Sequence, residues 1–286
     1  MSYTEIKITN NGKVHEFSLH TMLKDNLDII KAKQKHDWDF KILISGDGLT
    51  RVGKTTLASQ IALYLDNDMD ETHFCYGGGK VRELAISKGK GRAIIYDEAK
   101  EGLDSKKAMQ TYSQNIIDYF NECGYLNQFM IIILPDFFDL NKTIAMNLSI
   151  CLINVIITDD FNRGYFDFYS RKAKRKLYIK GKQFYNYDRS MRSFDGKFVK
   201  YFPFDYSKLE VIKAAAIAKK TDENLSKFEL RYKARWERTV RYLNIIENWS
   251  QKKIIKAVSS DYDQIDIATM SRICGNTANL DYKFTE

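Results

Sequence analysis

Proline is nearly missing from this chain, with Pro135 and Pro203 the only two in 286 residues, and no internal repeat or low-complexity tract breaks it up. Cysteine is also scarce. Cys75, Cys123, Cys151 and Cys274 lie far apart, with no C-x-x-C pair and no paired histidines. Neither a disulfide framework nor a zinc site is expected, only buried thiols in a reducing compartment. No stretch approaches the ~20 uninterrupted apolar residues of a membrane-spanning helix, so the expectation is a soluble protein without membrane insertion. The segment MSYTEIKITNNGKVHEF lacks the basic-then-apolar profile of a signal peptide. That predicts a cytoplasmic location, the host cytoplasm for a viral chain.

What the chain has in excess is positive charge, and its distribution is uneven. The net +8 divides into −4 over residues 1–160, +15 over 161–256 and −3 over the last thirty. The basic stretch interleaves its cations with Tyr165, Phe168, Tyr169, Tyr178, Phe184, Tyr185 and Tyr187. A polyanionic partner, nucleic acid before a membrane surface, fits that pattern, and a solvated basic face is the alternative.

The length suits one large α/β domain with a smaller appendage. Alternating residues 3–8 and 13–19 around Asn10-Asn11-Gly12 predict a β-hairpin, and 21–35 a basic amphipathic helix. Apolar runs at 40–44, 92–96, 128–134 and 150–157, separated by helical segments, predict a mainly parallel sheet covered on both faces. Residues 53–65 read as a helix, and 71–76 as a further strand. Residues 164–179 read as a β-hairpin or antiparallel extension with a basic turn at Arg171–Lys176, and the chain turns helical from about Tyr206. The expected domains are 1–38, a hairpin and helix; 39–205, the sheet core with its basic β extension; and 206–286, a helical region, with a soft boundary between Phe202 and Lys208.

Chemistry concentrates at two places. Gly48-Leu49-Thr50-Arg51-Val52-Gly53-Lys54-Thr55 fits G-x-x-x-x-G-K-[ST] between a strand and a helix. Glycines there let backbone N–H groups close around a phosphate at a helix N-terminus. Lys54 is expected to reach the β and γ phosphates of ATP, Thr55 to ligate Mg²⁺ and Thr56 to support the α-phosphate side. The second place is the apolar strand ending in Asp97-Glu98. Asp97 is expected to hold the metal and Glu98 to act as general base towards water. A GTPase would carry Asp-x-x-Gly and Asn-Lys-x-Asp. Here Asp97-Glu98-Ala99-Lys100 and Asn141-Lys142-Thr143-Ile144 stand instead, which favours ATP. An acidic pair of this kind suits ATPases with an additional strand between the phosphate-loop strand and the acidic strand.

These two elements, the following Glu101-Gly102-Leu103-Asp104-Ser105-Lys106-Lys107, the apolar strand to Pro135 and the Arg163-Gly164-Tyr165-Phe166 segment resemble the zonular-occludens-toxin-like and FtsK/HerA-like P-loop ATPases of viruses and mobile elements. The similarity spans roughly residues 40–180. It implies an oligomeric translocation or genome-packaging motor on DNA, with viral capsid or replication proteins as possible partners. A helicase-loader-type ATPase and an ATP-switched DNA-binding or assembly protein are the alternatives. Rings of this kind complete their site with a neighbour's arginine. Arg163 is the first candidate and Arg82, Arg92 and Arg171 are others. Near the C-terminus, Ile265 to Leu280 fits a helix-turn-helix loosely and an ordinary helical hairpin equally well. The preceding run Arg231–Arg238 is the stronger candidate for contact with a nucleic-acid backbone.

Overall fold

The computed structural model describes residues 2–46, 49–77, 80–97, 111–223, 227–258, 270–271 and 273–274. Asn11 and Gly12 adopt φ of 49° and 76°, as a two-residue hairpin turn requires. Across that turn β1 (Tyr3–Asn10) and β2 (Lys13–His20) pair antiparallel, with Asn10 opposite Lys13. Ile6, Ile8, Phe17 and Leu19 are buried at the period of two that gives a strand one inner face. In α1 (Thr21–Gln34) the buried residues Leu23, Leu27 and Ile30 follow helical spacing.

The centre is a seven-stranded sheet in the order β4-β5-β6-β3-β7-β8-β9. Its strands are β3 (Phe40–Ser45), β4 (Phe74–Tyr76), β5 (Ala93–Asp97), β6 (Phe129–Ile133), β7 (Cys151–Ile156), β8 (Tyr165–Tyr169) and β9 (Phe194–Lys197). The first five in that order run parallel, and β8 and β9 add antiparallel at one side. Every residue of β3, β5 and β6 is buried, because both faces are covered and the strands are therefore apolar on both sides. Ile42, Ile44, Ile95, Ile131 and Ile153 pack on one face with the hairpin, α1 and α2 (Lys54–Leu65). Leu43, Ile94, Ile132 and Leu152 pack on the other with α3 (Val81–Lys88), α4 (Thr111–Glu122) and α5 (Arg171–Gly181). The hairpin and α1 thus share a hydrophobic core with the sheet rather than forming a body of their own.

The further strand expected at 71–76 is β4, at the sheet edge, after a 3₁₀ turn at Glu71–His73, and β6 stands between β3 and β5. One reading of the sequence changes. The basic turn at 171–176 and the strand expected to follow it are one helix, α5. Lys174, Leu177, Tyr178 and Gly181 are its buried residues, and their spacing of three, one and three is helical. The antiparallel partner of β8 on its outer side is instead β9, which begins 25 residues after β8 ends. Several aromatics of the basic stretch are core residues: Phe168, Tyr169 and Tyr178 are buried, while Phe184 and Tyr185 are exposed.

The chain forms two compact units, Met1–Ala218 and Lys219–Glu286. Helix α6 (Tyr206–Glu223) contains the division, which falls later than the sequence boundary at 202–208. The second unit contains α7 (Lys227–Ile245) and α8 (Gln251–Val258), joined through a small cluster of Val240, Ile254, Met270 and Ile273. Most of the helix-turn-helix reading falls outside the described residues. Among the described residues no helix is long and apolar enough to cross a membrane, and all four cysteines are free thiols.

Candidate functional site

The chain leaves β3 towards one edge of the sheet and returns through β4, β5 and β6. It then crosses to β7 on the other side of β3. A crevice opens outside the carboxyl ends of parallel strands where such a reversal occurs. Three connections meet there: the loop after β3, the end of β5 and the turn after β6.

The loop after β3 begins from a fixed point. Ser45 Oγ donates to Asn154 Oδ1 at 2.8 Å, both side chains buried. Gly46 follows, and a Cβ there would lie 2.9 Å from Lys54 Nζ and 3.0 Å from Val52 Cγ2, so any other residue would push the lysine from its present position. Lys54 therefore folds back over Gly46, and its ammonium donates to the Leu49 carbonyl. Gly53, at φ 103°, caps the N-terminus of α2, and Leu57 N–H closes the first turn on its carbonyl at 3.0 Å.

Thr55 Oγ1 donates to Asp97 Oδ2 at 3.0 Å, joining two segments 42 residues apart. Asp97 is the buried last residue of β5. The Lys54 pKa is lowered by burial, against the pull of the Asp97 and Asp136 carboxylates. Asp136, in the turn after β6, accepts from Phe138 N–H at 2.7 Å and from the Tyr187 hydroxyl at 3.2 Å.

A cleft of about 820 Å³ opens over this loop. Of the residues expected from sequence, it is lined by Arg51, Val52, Gly53, Lys54, Thr55, Thr56, Asp97 and Arg163. Leu49 touches the site through its carbonyl, and Thr50 is exposed beside it. Gly48 and Glu98 lie outside the described residues. The other candidate arginines lie elsewhere. Arg92 is paired with Asp66 at 3.1 Å and Asp68 at 2.6 Å, Arg82 sits near Glu122 at 3.8 Å, and Arg171 reaches the Asn147 carbonyl at 3.4 Å.

The far wall comes from Gly164, beside Arg163, and from residues that no local motif marks: Tyr76, Phe198, Lys200, Phe202, Tyr206, Leu209, Glu210 and Lys213. Phe198 fits against Gly53, where a Cβ would lie 3.0 Å from its ring. Phe198 N–H also donates to the Gly164 carbonyl at 2.7 Å. Gln60, fully buried on α2, donates to the carbonyls of Val199 at 2.8 Å and Tyr201 at 2.7 Å. The hairpin braces the same segment, with the Phe17 ring stacked on Tyr201 at 5.5 Å and His15 Nδ1 2.8 Å from the Tyr201 hydroxyl. Burial, with Lys13 adding to it, lowers the His15 pKa and favours the neutral ring.

Arg51, Lys54, Arg163, Lys200 and Lys213 face only Asp97 and Glu210 among the described lining residues. Such a cleft attracts a compact polyanion, since low-dielectric walls focus the field of like charges. The Thr55 hydroxyl and the Asp97 carboxylate are the hard oxygen donors Mg²⁺ prefers. Two of them fit an ion that keeps several waters and takes further oxygens from a phosphate. Among the described residues no group of three or more His, Cys, Asp or Glu could hold a metal ion. Comparison with protein-family models and with curated proteins finds no match for the chain.

Proposed function

We propose that this chain is a Mg²⁺-dependent ATP hydrolase with a P-loop NTPase core of the additional-strand type, acting on DNA. The observation that carries this reading is the 3.0 Å contact between Thr55 Oγ1 and Asp97 Oδ2 beside the Lys54 ammonium. A phosphate-loop hydroxyl and a strand-end carboxylate adjoin where one metal ion and one phosphate chain would need both. The order β5-β6-β3 supports the additional-strand type, because one strand separates the loop strand from the acidic strand.

In this reading backbone N–H groups from Gly48 to Gly53 surround the phosphates, helped by the positive end of α2, and Lys54 binds the β and γ oxygens. Thr55 and Asp97 hold Mg²⁺, which supplies neutralisation of the phosphate charge. Glu98 takes a proton from the attacking water as its oxygen bonds to the γ-phosphorus. The bond to the β-phosphate oxygen breaks, and ADP leaves. Arg163 lines the cleft of its own chain, which favours action on that chain's nucleotide over service to a neighbour. Phe202 and Tyr206, edge to face at 5.8 Å, offer a surface for the base. The biological role we propose is an oligomeric translocation or genome-packaging motor of a virus or mobile element, with capsid or replication proteins as partners.

Steady-state ATP hydrolysis with and without single- and double-stranded DNA tests the reading. Lys54→Ala and Glu98→Gln should each lower kcat/KM by about 10²-fold or more, the cost of losing one transition-state contact in a closed site. DNA should raise turnover of the unaltered chain. Flat turnover with ATP-dependent DNA affinity would replace the motor by a switch or loader, and failure to bind ATP would end the proposal.

A further inference from the structure

We propose that the outward face of α5 and the turn after it form a binding surface for single-stranded DNA. Lys172, Lys176 and Lys180 contact successive phosphates there, and Phe184 stacks on a base. The inference rests on the DNA partner proposed above and not on ATP hydrolysis.

Residues 171–183 carry seven cations and no acid, and the structure separates them by task. Lys174 is fully buried. Arg175 donates to the Met146 carbonyl at 2.9 Å and to Asn147 Oδ1 at 2.8 Å, and Arg171 reaches the Asn147 carbonyl. Lys182 is held by the Tyr178 hydroxyl. The remaining three, Lys172, Lys176 and Lys180, are exposed and form no ion pair with a described residue. They recur every four residues, about 6 Å apart along the axis, a step comparable with the phosphate spacing of one extended strand. Asp188 lies near enough for Lys180 to help lower its pKa, one carboxylate beside the seven cations of this stretch.

Solvated lysines alone would be unremarked, but apolar side chains stand among them. Ile179 is 67% exposed and Phe184 76%. The turn that carries Phe184 is fixed on both sides. Phe184 and Asn186 N–H groups both donate to the Gly181 carbonyl, at 3.2 and 3.1 Å, and Tyr185 packs edge-on against buried Phe138 at 5.8 Å. An aromatic ring on a rigid turn beside a row of cations matches the way single strands are held, by backbone charge and base stacking. An anionic membrane is the weaker fit. The opposite face of α5 is locked into the core, leaving two apolar side chains to enter a bilayer, where interfacial helices bury a whole face.

Fluorescence anisotropy of labelled oligo-dT, titrated with the full chain across a salt series, tests the surface. The K172E/K176E/K180E variant should weaken binding and reduce the slope of log K against log salt by about two, as expected for three lost phosphate contacts on a single strand. Phe184→Ala should weaken binding about tenfold with the slope unchanged, the signature of lost stacking. ATP affinity of both variants should match the unaltered chain, which shows that they fold. Unchanged DNA affinity and slope in the triple variant would overturn the surface while leaving the DNA partner standing. If the unaltered chain binds no oligonucleotide, both fall, and ATP hydrolysis stands or falls by its own assay. Duplex preference, or binding only to phosphatidylserine vesicles, would also overturn it.

Discussion

At the scale of single residues, the most unusual side chain outside the cleft is Lys174. Its ammonium donates to Ser149 O at 2.8 Å, Ser149 Oγ at 2.7 Å and Ala145 O. It thereby ties α5 to the π-helical turn Ile144–Leu148 and to Ser149, the residue that ends it. Burial lowers its pKa from 10.5 to about 7, opposed by the neighbouring Cys151 thiol. The folded chain therefore releases this proton near pH 7 and the unfolded chain near 10.5. Unfolding takes up a proton between those values, so this group makes stability rise with pH there and contributes no slope below or above. Urea unfolding from pH 6 to 10 should show that difference between the native chain and Lys174→Met. The native curve should be steeper by up to about 1.4 kcal/mol per pH unit inside the window. Parallel curves would mean that Lys174 keeps its ordinary pKa.

At the scale of elements, α2 does more than present the loop at its N-terminus. Through Gln60 it also holds the Val199–Tyr201 segment beside the far wall of the cleft. A glutamine in a helix whose neighbours Ser59, Ile61 and Ala62 are all buried has no local reason to be polar. Its reason is two carbonyls about 140 residues away. Gln60→Leu should leave the Tyr201 carbonyl without its donor, while the Val199 carbonyl keeps the Tyr201 N–H at 2.8 Å, costing about 1–3 kcal/mol if the freed group finds no water. Relief of the unpartnered Gln60 Oε1 offsets part of that cost. The expected result is a melting temperature lower by about 2–4 °C per kcal/mol lost and weaker nucleotide binding, read by calorimetry and titration. Unchanged affinity would assign the wall to the Phe17–Tyr201 stack instead. The misreading of α5 also belongs to this scale. Leu177-Tyr178-Ile179 is strand-like over three residues, and its helical character appears only when Lys174 and Gly181 are recognised as buried.

At the scale of the whole molecule, the two units have separate cores. The first buries both faces of a seven-stranded sheet. In the second, Val240, Ile254, Met270 and Ile273 form a cluster of their own among the described residues. Scanning calorimetry should therefore resolve two transitions, the larger from the first unit. ATP with Mg²⁺ should raise only the larger, since a ligand stabilises the unit that binds it. A single transition would mean that the units unfold together.

Much of the first unit was legible in the sequence because its determinants are local. Asn11-Gly12 encodes a positive-φ turn, apolar runs encode strands covered on both sides, and the glycines around Lys54 encode a tight loop before a helix. Asp97 was legible as the acid that ends such a run. Tertiary structure alone decided that β6 stands between β3 and β5, that Arg163 lines the cleft of its own chain, and that Phe198, Lys200, Phe202 and Lys213 complete the cleft. Strand order and wall contacts join residues tens to more than a hundred positions apart. Crossovers and packing of covered faces set those pairings, and neither leaves a pattern within a few residues of chain.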